Sequence, residues 1–162
     1  EIGKSLKEEN SFEIIKKILI KAENHKCKII IPEDCLVSKN SEGSAITKHI
    51  KSIEKDDIIL DIGPETIKII EKIIDNSNTV MWNGPAGYFE NKNFSIGTNS
   101  IAKKVSENTI KKSLVSVIGG GDTVSALNKS GLALSFTHLS TAGGAFLEYL
   151  EGKDLPGLSV LK

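Results

Sequence analysis

Short apolar segments and helical repeats alternate along the 162 residues of the chain. Short runs rich in β-branched residues are typical of buried strands. Five such runs predict strands at residues 27–31, 58–61, 79–82, 114–118 and 136–139. Residues 33–56 mix polar and apolar positions without a clear period, so they predict no element.

Helical spacing of apolar residues predicts helices between these strands. The segment 12–24 carries one apolar face, formed by Phe12, Ile15, Leu19 and Ala22. Pro64 suits the first position of a second helix, whose apolar face would consist of Ile67, Ile70 and Ile74. Residues 98–109 predict a third helix with Thr98 as its N-cap. Gly131 and Gly152 lie where helix-ending glycines are common.

Strands that alternate with helices at this spacing indicate βα units. We therefore expect an α/β fold, with a parallel sheet covered by helices on both faces in the Rossmann-like manner. No internal repeat or low-complexity linker interrupts the pattern, so residues 1–162 are expected to form one domain.

Composition narrows the function classes. The 21 acidic and 21 basic residues cancel, which argues against binding of nucleic acid or membranes through bulk charge. All the basic residues are lysines, so a bidentate clamp on phosphate must come from backbone amides, from lysine or from another chain. No apolar run reaches the ~18 residues of a membrane span. Cys27 and Cys35 are expected to be reduced thiols of a cytoplasmic protein, and Glu1 in place of methionine suggests a truncated or processed product.

The first candidate site is the glycine-rich loop 119–123, between a predicted strand and a helix. Glycines let an anion approach backbone amides, and the helix start adds a partial positive charge. Asp122 has two interpretations here. It could cap the helix, or it could bind the magnesium ion that accompanies a nucleotide phosphate.

Two further loops have the composition of sites. The loop 140–144 again places small residues at a helix start, although a close-packed turn would look the same. The loop 83–90 ends in Glu90, which could accept hydrogen bonds from sugar hydroxyls or could simply be solvated. The Walker A and dinucleotide fingerprints are both absent, and the three histidines form no convincing catalytic set.

Together these segments resemble a known family. The segments MWNGPAGYFE (81–90), SVIGGGDT (116–123) and STAGGAFLEYLEGKDLP (140–156) are similar, in the same order, to motifs of phosphoglycerate kinase. The whole chain resembles the C-terminal, nucleotide-binding part of that family. The resemblance implies a glycolytic phosphotransferase that moves a phosphoryl group between ADP or ATP and 1,3-bisphosphoglycerate or 3-phosphoglycerate, with Mg²⁺. It also implies a cytoplasmic enzyme, monomeric when complete, with neither nucleic acid nor membrane as a partner.

The resemblance also implies site residues. The residues that would bind the nucleotide are Leu60, Asn83, Pro85, Glu90, Gly120, Gly121, Asp122 and Thr123. Within this set Leu60 would contact adenine, Glu90 the ribose hydroxyls, and Asp122 the magnesium ion. The residues that would face the transferring phosphoryl group are Gly120, Gly143 and Gly144.

Some positions depart from the family pattern. Ala142 replaces a glycine that is usual in the loop, and Ile59 and Cys35 would change the shape of the adenine pocket. The family's glycerate-binding domain, its arginines and its early phosphate-binding lysines have no counterpart in these residues. We therefore expect the chain alone to be inactive and prone to aggregation. A non-catalytic nucleotide-binding module, or a plain α/β domain whose glycines serve packing, remains the alternative.

Overall fold

A computed structural model describes residues 1–132 and 135–161. Lys162, the last residue of the predicted domain, therefore lies outside the described residues. The elements in chain order are α1 (Phe12–Asn24), β1 (Asp34–Ser38), β2 (Ile46–His49), β3 (Ile58–Ile62), α2 (Pro64–Asp75), β4 (Thr79–Asn83), α3 (Ile96–Ile110), β5 (Val115–Gly119), α4 (Gly121–Lys129), β6 (His138–Ser140), α5 (Gly144–Leu150) and α6 (Pro156–Ser159). None of the helices in the described part of the chain is long and apolar enough to cross a membrane.

The second half of the chain contains the parallel sheet that the sequence predicts. Its strand order is β4-β5-β6, and Trp82 pairs with Ile118, which pairs in turn with Leu139. The buried core against this sheet draws on α2, α3, α4 and β5 and consists of Ile74, Ala102, Val105, Leu114, Ile118 and Leu127. The α/β class with a parallel sheet is confirmed.

The first half of the chain contains a second sheet that the sequence did not predict. Its strand order is β2-β1-β3, and both pairings are antiparallel. β1 lies within the segment 33–56, where no element was predicted, because its five residues are all buried and show no alternation. The strand predicted at 58–61 exists as β3, but its neighbour is antiparallel, since a sequence run does not fix strand direction.

Ion pairs join the three strands of this antiparallel sheet near one end. Asp57, which precedes β3, accepts hydrogen bonds from Lys48 of β2 at 2.8 Å and from Lys39, directly after β1, at 2.9 Å. The backbone N–H of Glu54 donates a third at 2.8 Å. These donors, Lys48 first, hold the pKa of Asp57 well below its usual range.

Two predictions near the start of the chain need correction. Residues 27–31 lie outside both sheets of the described chain, and Ile29 and Ile31 are 41% and 66% exposed. An apolar run becomes a strand only where a neighbouring strand completes its hydrogen bonds, and no described strand does so here. Helix α1 has the predicted bounds, but every one of its residues is at least partly exposed.

The helix ends follow the sequence in most places. Pro64 is the first residue of α2, and Gly131 and Gly152 follow α4 and α5 with φ of 66° and 79°. Thr98 is not a cap, because α3 begins at Ile96 after Ser95. The buried Thr98 hydroxyl instead accepts a hydrogen bond from the backbone N–H of Ala86 at 3.0 Å.

A buried carboxylate on β1 caps helix α2 from outside the helix. Asp34 accepts hydrogen bonds from the backbone N–H groups of Glu65 at 2.9 Å and Thr66 at 2.8 Å, and from the Thr66 hydroxyl at 2.7 Å. Burial raises the pKa of Asp34, but these hydrogen bonds outweigh burial and hold the pKa below its ordinary value. The first turn of α2 is therefore attached to the antiparallel sheet.

Candidate functional site

The three predicted loops meet at one edge of the parallel sheet. Asn83 pairs with Gly119, and Gly119 pairs with Ser140, so β4, β5 and β6 end at the same level. The loops 83–90, 119–123 and 140–144 therefore emerge side by side. In parallel sheets this edge, beyond the carboxyl ends of the strands, is where ligands bind.

Loop 119–123 presents backbone amides at the start of α4. Gly120 precedes the helix with φ of 97°, a conformation that a residue with a side chain rarely adopts. The first helical hydrogen bond runs from the Val124 N–H to the Gly120 carbonyl at 3.0 Å. The N–H groups of the three preceding residues, Gly121 to Thr123, have no acceptor among the described residues, so they could bind an anion at the positive end of the helix.

Loop 140–144 lies against loop 119–123. A Cβ placed on Gly143 would lie 3.4 Å from the Gly120 Cα and 4.0 Å from the Gly121 backbone N. Helix α5 begins at Gly144, directly after this contact. The structure thus brings together Gly120, Gly121, Gly143 and Gly144.

The structure decides between the two interpretations of Asp122 in part. The N-cap of α4 is Gly120, and no side chain caps that helix. Asp122 is exposed, so the cap interpretation is wrong, and its carboxylate points away from the core. The described residues contain no cluster of three His, Cys, Asp or Glu side chains that could hold a metal ion by themselves. A metal ion bound at Asp122 would therefore need further oxygen ligands besides this one carboxylate.

Thr123 connects two of the loops. Its side chain is fully buried, and its hydroxyl accepts a hydrogen bond from the Gly84 N–H at 2.7 Å. The Trp82 indole N–H donates to the Gly84 carbonyl at 2.6 Å, so Gly84 is held on both sides. Thr123 therefore couples the first turn of α4 to loop 83–90, a role that the sequence did not indicate.

An apolar groove of about 870 Å³ lies beside loop 83–90. Its lining includes Leu60 and Pro85, together with two of the three departures from the family pattern, Cys35 and Ile59. Burial raises the pKa of the Cys35 thiol, so it stays neutral and behaves as a small apolar group. The residues predicted to contact or shape an adenine pocket are thus in one groove.

Glu90 does not share this groove. It lines a separate cleft of about 450 Å³ with Phe89, Lys92 and Lys129. The Lys129 ammonium lies 5.1 Å from the centre of the Phe89 ring, a distance at which a cation–π attraction operates. The structure therefore does not bring Glu90 and Leu60 into one cavity, although both lie beside loop 83–90.

Asp61 is a buried carboxylate on β3 that sequence reasoning missed. It is 2% exposed and lines the apolar groove, and its Oδ2 accepts a hydrogen bond from the Gly97 N–H at 2.8 Å. Burial raises the pKa of Asp61 to about 6, against the lowering effect of backbone N–H donors from Gly97, Ile62 and Ile96. A lone Asp in an apolar run was the only available signal in the sequence.

Comparison with known proteins identifies the family. A family model described as phosphoglycerate kinase matches residues 1–153. The chain belongs to the phosphoglycerate kinase family. A phosphoglycerate kinase of Wolbachia pipientis wMel is 47% identical over 163 residues, which cover 99% of this chain and 41% of that protein. One of Rhizobium leguminosarum bv. trifolii is 46% identical over 99% of this chain and 40% of that protein.

A solved structure agrees with the family assignment. The phosphoglycerate kinase of Coxiella burnetii superposes with a TM-score of 0.90 at 37% identity, over 99% of this chain and 41% of that chain. The resemblance stated from the three motifs is therefore confirmed. The chain spans about 41% of the length of the phosphoglycerate kinases that it matches.

Asp61 should make the chain less stable as the pH rises. Its folded pKa of about 6 exceeds the ordinary 3.8, so the folded state holds the proton more tightly between these values. The free energy of unfolding should therefore fall by about 2 kcal/mol between pH 4 and pH 6.5, and this contribution should be nearly constant above pH 7. Urea unfolding across this range measures it. Asp61→Asn is the reference, and an equal pH slope in both proteins would contradict the prediction.

Proposed function

We propose that the chain is the nucleotide-binding part of a glycolytic phosphoglycerate kinase. In this reaction a phosphoryl group passes between ADP or ATP and 1,3-bisphosphoglycerate or 3-phosphoglycerate. The observation that carries the proposal is the contact between the two glycine loops, where Gly143 lies against Gly120 at the edge of the sheet. Two helix starts that meet without side chains between them leave room for a phosphate chain beside their amides.

Each part of the nucleotide has proposed contacts in the chain. Leu60 and Pro85 would hold adenine in the apolar groove, with Asn83 beside them, and Glu90 would accept hydrogen bonds from the ribose hydroxyls. The residues that would bind the phosphates are Gly120, Gly121, Asp122 and Thr123. We propose that the transferring phosphoryl group faces Gly120 of loop 119–123 and Gly143 and Gly144 of loop 140–144. Their N–H groups would stabilise charge on its oxygens.

The hydrogen bond of the Thr123 hydroxyl changes the role that we propose for this residue in phosphate binding. It already accepts a hydrogen bond from Gly84, so we assign phosphate binding to the Thr123 backbone N–H rather than to the side chain. The hydroxyl then sets the distance between the phosphate loop and loop 83–90.

Magnesium fits the residues of this site. An exposed carboxylate with no capping role, beside free amides, is a single hard oxygen ligand of the kind that Mg²⁺ shares with nucleotide phosphates. The ion would neutralise negative charge on those phosphates. Without it, Asp122 would repel them, since Asp122 and Lys129 are the only Asp, Glu, Lys or Arg residues in the segment 113–147.

The proposed partners of the complete enzyme extend beyond these residues. The chain contains no arginine, so cations over the equatorial oxygens of the transferring group must come from lysine or from another part of the protein. We place glycerate binding in an N-terminal domain like that of the longer family members. A cytoplasmic location, a monomeric state and the absence of nucleic-acid and membrane partners remain predictions.

A non-catalytic nucleotide-binding module is the second candidate for the chain alone. The lack of arginine and the 41% coverage of its relatives favour it for these 162 residues. The packing interpretation fits only some of the glycines, such as Gly119, where a Cβ would lie 2.7 Å from the Phe146 ring. A Cβ on Gly121 or Gly144 would meet no atom within 4 Å, so packing does not require glycine at either position.

A hybrid enzyme tests the proposed function. Residues 1–162 would replace the matching part of the Wolbachia pipientis wMel kinase, and a coupled assay would measure turnover. We expect turnover from the hybrid and none from the 162-residue chain alone. The matched control carries the Rhizobium leguminosarum segment instead. Turnover of that control without turnover of our hybrid would contradict the proposal, and turnover of the chain alone would contradict the division between the two parts.

Replacement of Asp122 in this hybrid tests the magnesium role. Asp122→Asn keeps the size of an exposed side chain but removes its charge, so stability should change by less than about 0.5 kcal/mol. The Mg²⁺ concentration for half-maximal turnover should rise at least about tenfold, which corresponds to ~1.4 kcal/mol of lost binding. Asp56→Asn, at an exposed ion pair with Lys4, is the control. Unchanged magnesium dependence in Asp122→Asn would exclude the metal role.

Replacement of Glu90 tests the ribose contact. In the hybrid enzyme, Glu90→Ala should raise the dissociation constant of ADP about tenfold, because hydrogen bonds to a charged acceptor are lost. The constant for tripolyphosphate, which has no ribose, should change little. Isothermal titration of both ligands measures this, with Glu65→Ala at an exposed ion pair as the control. Equal weakening of both ligands would indicate collapse of the loop and not a ribose contact.

A further inference from the structure

Asp61 fills a space that two glycines create. A Cβ on Gly87 or on Gly97 would overlap the Asp61 carboxyl group, so a side chain at either position would push the carboxylate away. Gly87 belongs to loop 83–90, and Gly97 belongs to the first turn of α3. The carboxylate therefore lies between the loop and the helix that follows it in the chain.

Hydrogen bonds fix this position from the helix and the strand. The Gly97 N–H donates to Asp61 Oδ2, and the Ile62 N–H donates to Asp61 Oδ1, both at 2.8 Å. Two backbone N–H groups thus bind a side chain that is 2% exposed. Each of the two carboxylate oxygens accepts one of these hydrogen bonds. If a donor group such as the NH₂ of Asn replaced either oxygen, one backbone N–H would lose its acceptor.

Loop 83–90 is attached to the structure at the same junction. The Tyr88 N–H donates to the carbonyl of Leu60, the residue before Asp61, at 2.7 Å. The Ala86 N–H donates to the hydroxyl of Thr98, the residue after Gly97, at 3.0 Å. Leu60 is thus adjacent in sequence to Asp61, and Thr98 is adjacent to Gly97, which binds Asp61. Both hydrogen bonds of the loop therefore depend on the position of Asp61 and its partner.

We propose that Asp61 is a positioning residue that holds loop 83–90 in its nucleotide-facing shape by joining β3 to the start of α3. The proposal rests on the proposed function for its purpose, because Asn83, Pro85 and Glu90 of this loop are the expected nucleotide contacts. Asp61 lines the apolar groove, but both of its carboxylate oxygens accept hydrogen bonds from backbone N–H groups, so its proposed role is to hold the loop and not to bind the nucleotide.

Asp34 supplies a matched control. It is also a buried aspartate of the antiparallel sheet, 5% exposed, and it also binds backbone N–H groups of a helix start. Its helix is α2, and its hydrogen bonds do not include the loop. Asp61→Asn and Asp34→Asn therefore remove comparable interactions, but only the first should act on loop 83–90.

The test measures amide hydrogen exchange by NMR in the hybrid enzyme, with residues 1–162 either native or carrying one of the two substitutions. Exchange at Ala86 and Tyr88 should accelerate at least about tenfold in Asp61→Asn, relative to reference amides of β5. In Asp34→Asn the ratio should stay within about twofold. Equal ratios in the two variants would overturn the proposal, because Asp61 would then serve general stability only.

The single tryptophan gives an independent spectroscopic signature. Trp82 donates its indole N–H to Gly84 at the start of the loop, so the indole resonance should shift in Asp61→Asn and stay in place in Asp34→Asn. An indole resonance unmoved in Asp61→Asn would overturn the proposal.

A second variant keeps the test valid if Asp61→Asn does not fold. Gly87→Ala keeps the Asp61 residue but places a Cβ against its carboxyl group, so the contact between Asp61 and the loop should be disturbed and exchange at Ala86 and Tyr88 should also accelerate. Unchanged exchange in Gly87→Ala would overturn the proposal. The hybrid enzyme separates the two hypotheses: lack of turnover with native residues 1–162 contradicts the proposed function, whereas amide exchange decides the role of Asp61.

Discussion

Two buried carboxylates connect the antiparallel sheet to the helices that follow it. Asp34 of β1 binds the first turn of α2, and Asp61 of β3 binds the first turn of α3. Both are satisfied mainly by backbone N–H groups, and Asp34 also by a hydroxyl, where the helix dipole favours negative charge. The strands that carry them are neighbours, with Leu36 paired to Asp61. The arrangement of helices around the site therefore depends on these two side chains.

The two carboxylates differ in electrostatics because their surroundings differ. Asp34 gains a hydroxyl donor in addition to two backbone donors, and this set outweighs burial and lowers its pKa. Asp61 binds backbone donors only, and burial dominates. Both carboxylates bind the start of a helix, but Asp34 stays ionised, whereas the pKa of Asp61 is about 6. Asp61 is also the carboxylate that lies against loop 83–90, at the proposed nucleotide site.

The sequence predicts the parallel half of the fold well, because its strands are apolar runs that end in glycine loops. It predicts the antiparallel half poorly. The segment DCLVS of β1 is fully buried yet starts with a charged residue, so neither alternation nor hydrophobicity marks it. Thr98 has the residue type of a cap, but it binds the N–H of Ala86. Residues 27–31 have the composition of a strand but lack a neighbouring strand in the described chain. Partners distant in sequence decide each of these cases.

Few charged residues lie near the glycine loops in the sequence, and this limits the chemistry that the candidate site can perform. Around the glycine loops, residues 113–147 carry only Asp122 and Lys129 among Asp, Glu, Lys and Arg, and the chain has no arginine. Attraction of these residues for an anion therefore comes mainly from the backbone amides at the start of α4, which act through short-range dipoles. Dipoles of this kind bind and orient an anion, whereas phosphoryl transfer also requires full positive charges on the transferring oxygens. A site of this composition therefore fits the proposed nucleotide binding better than it fits phosphoryl transfer by these residues alone.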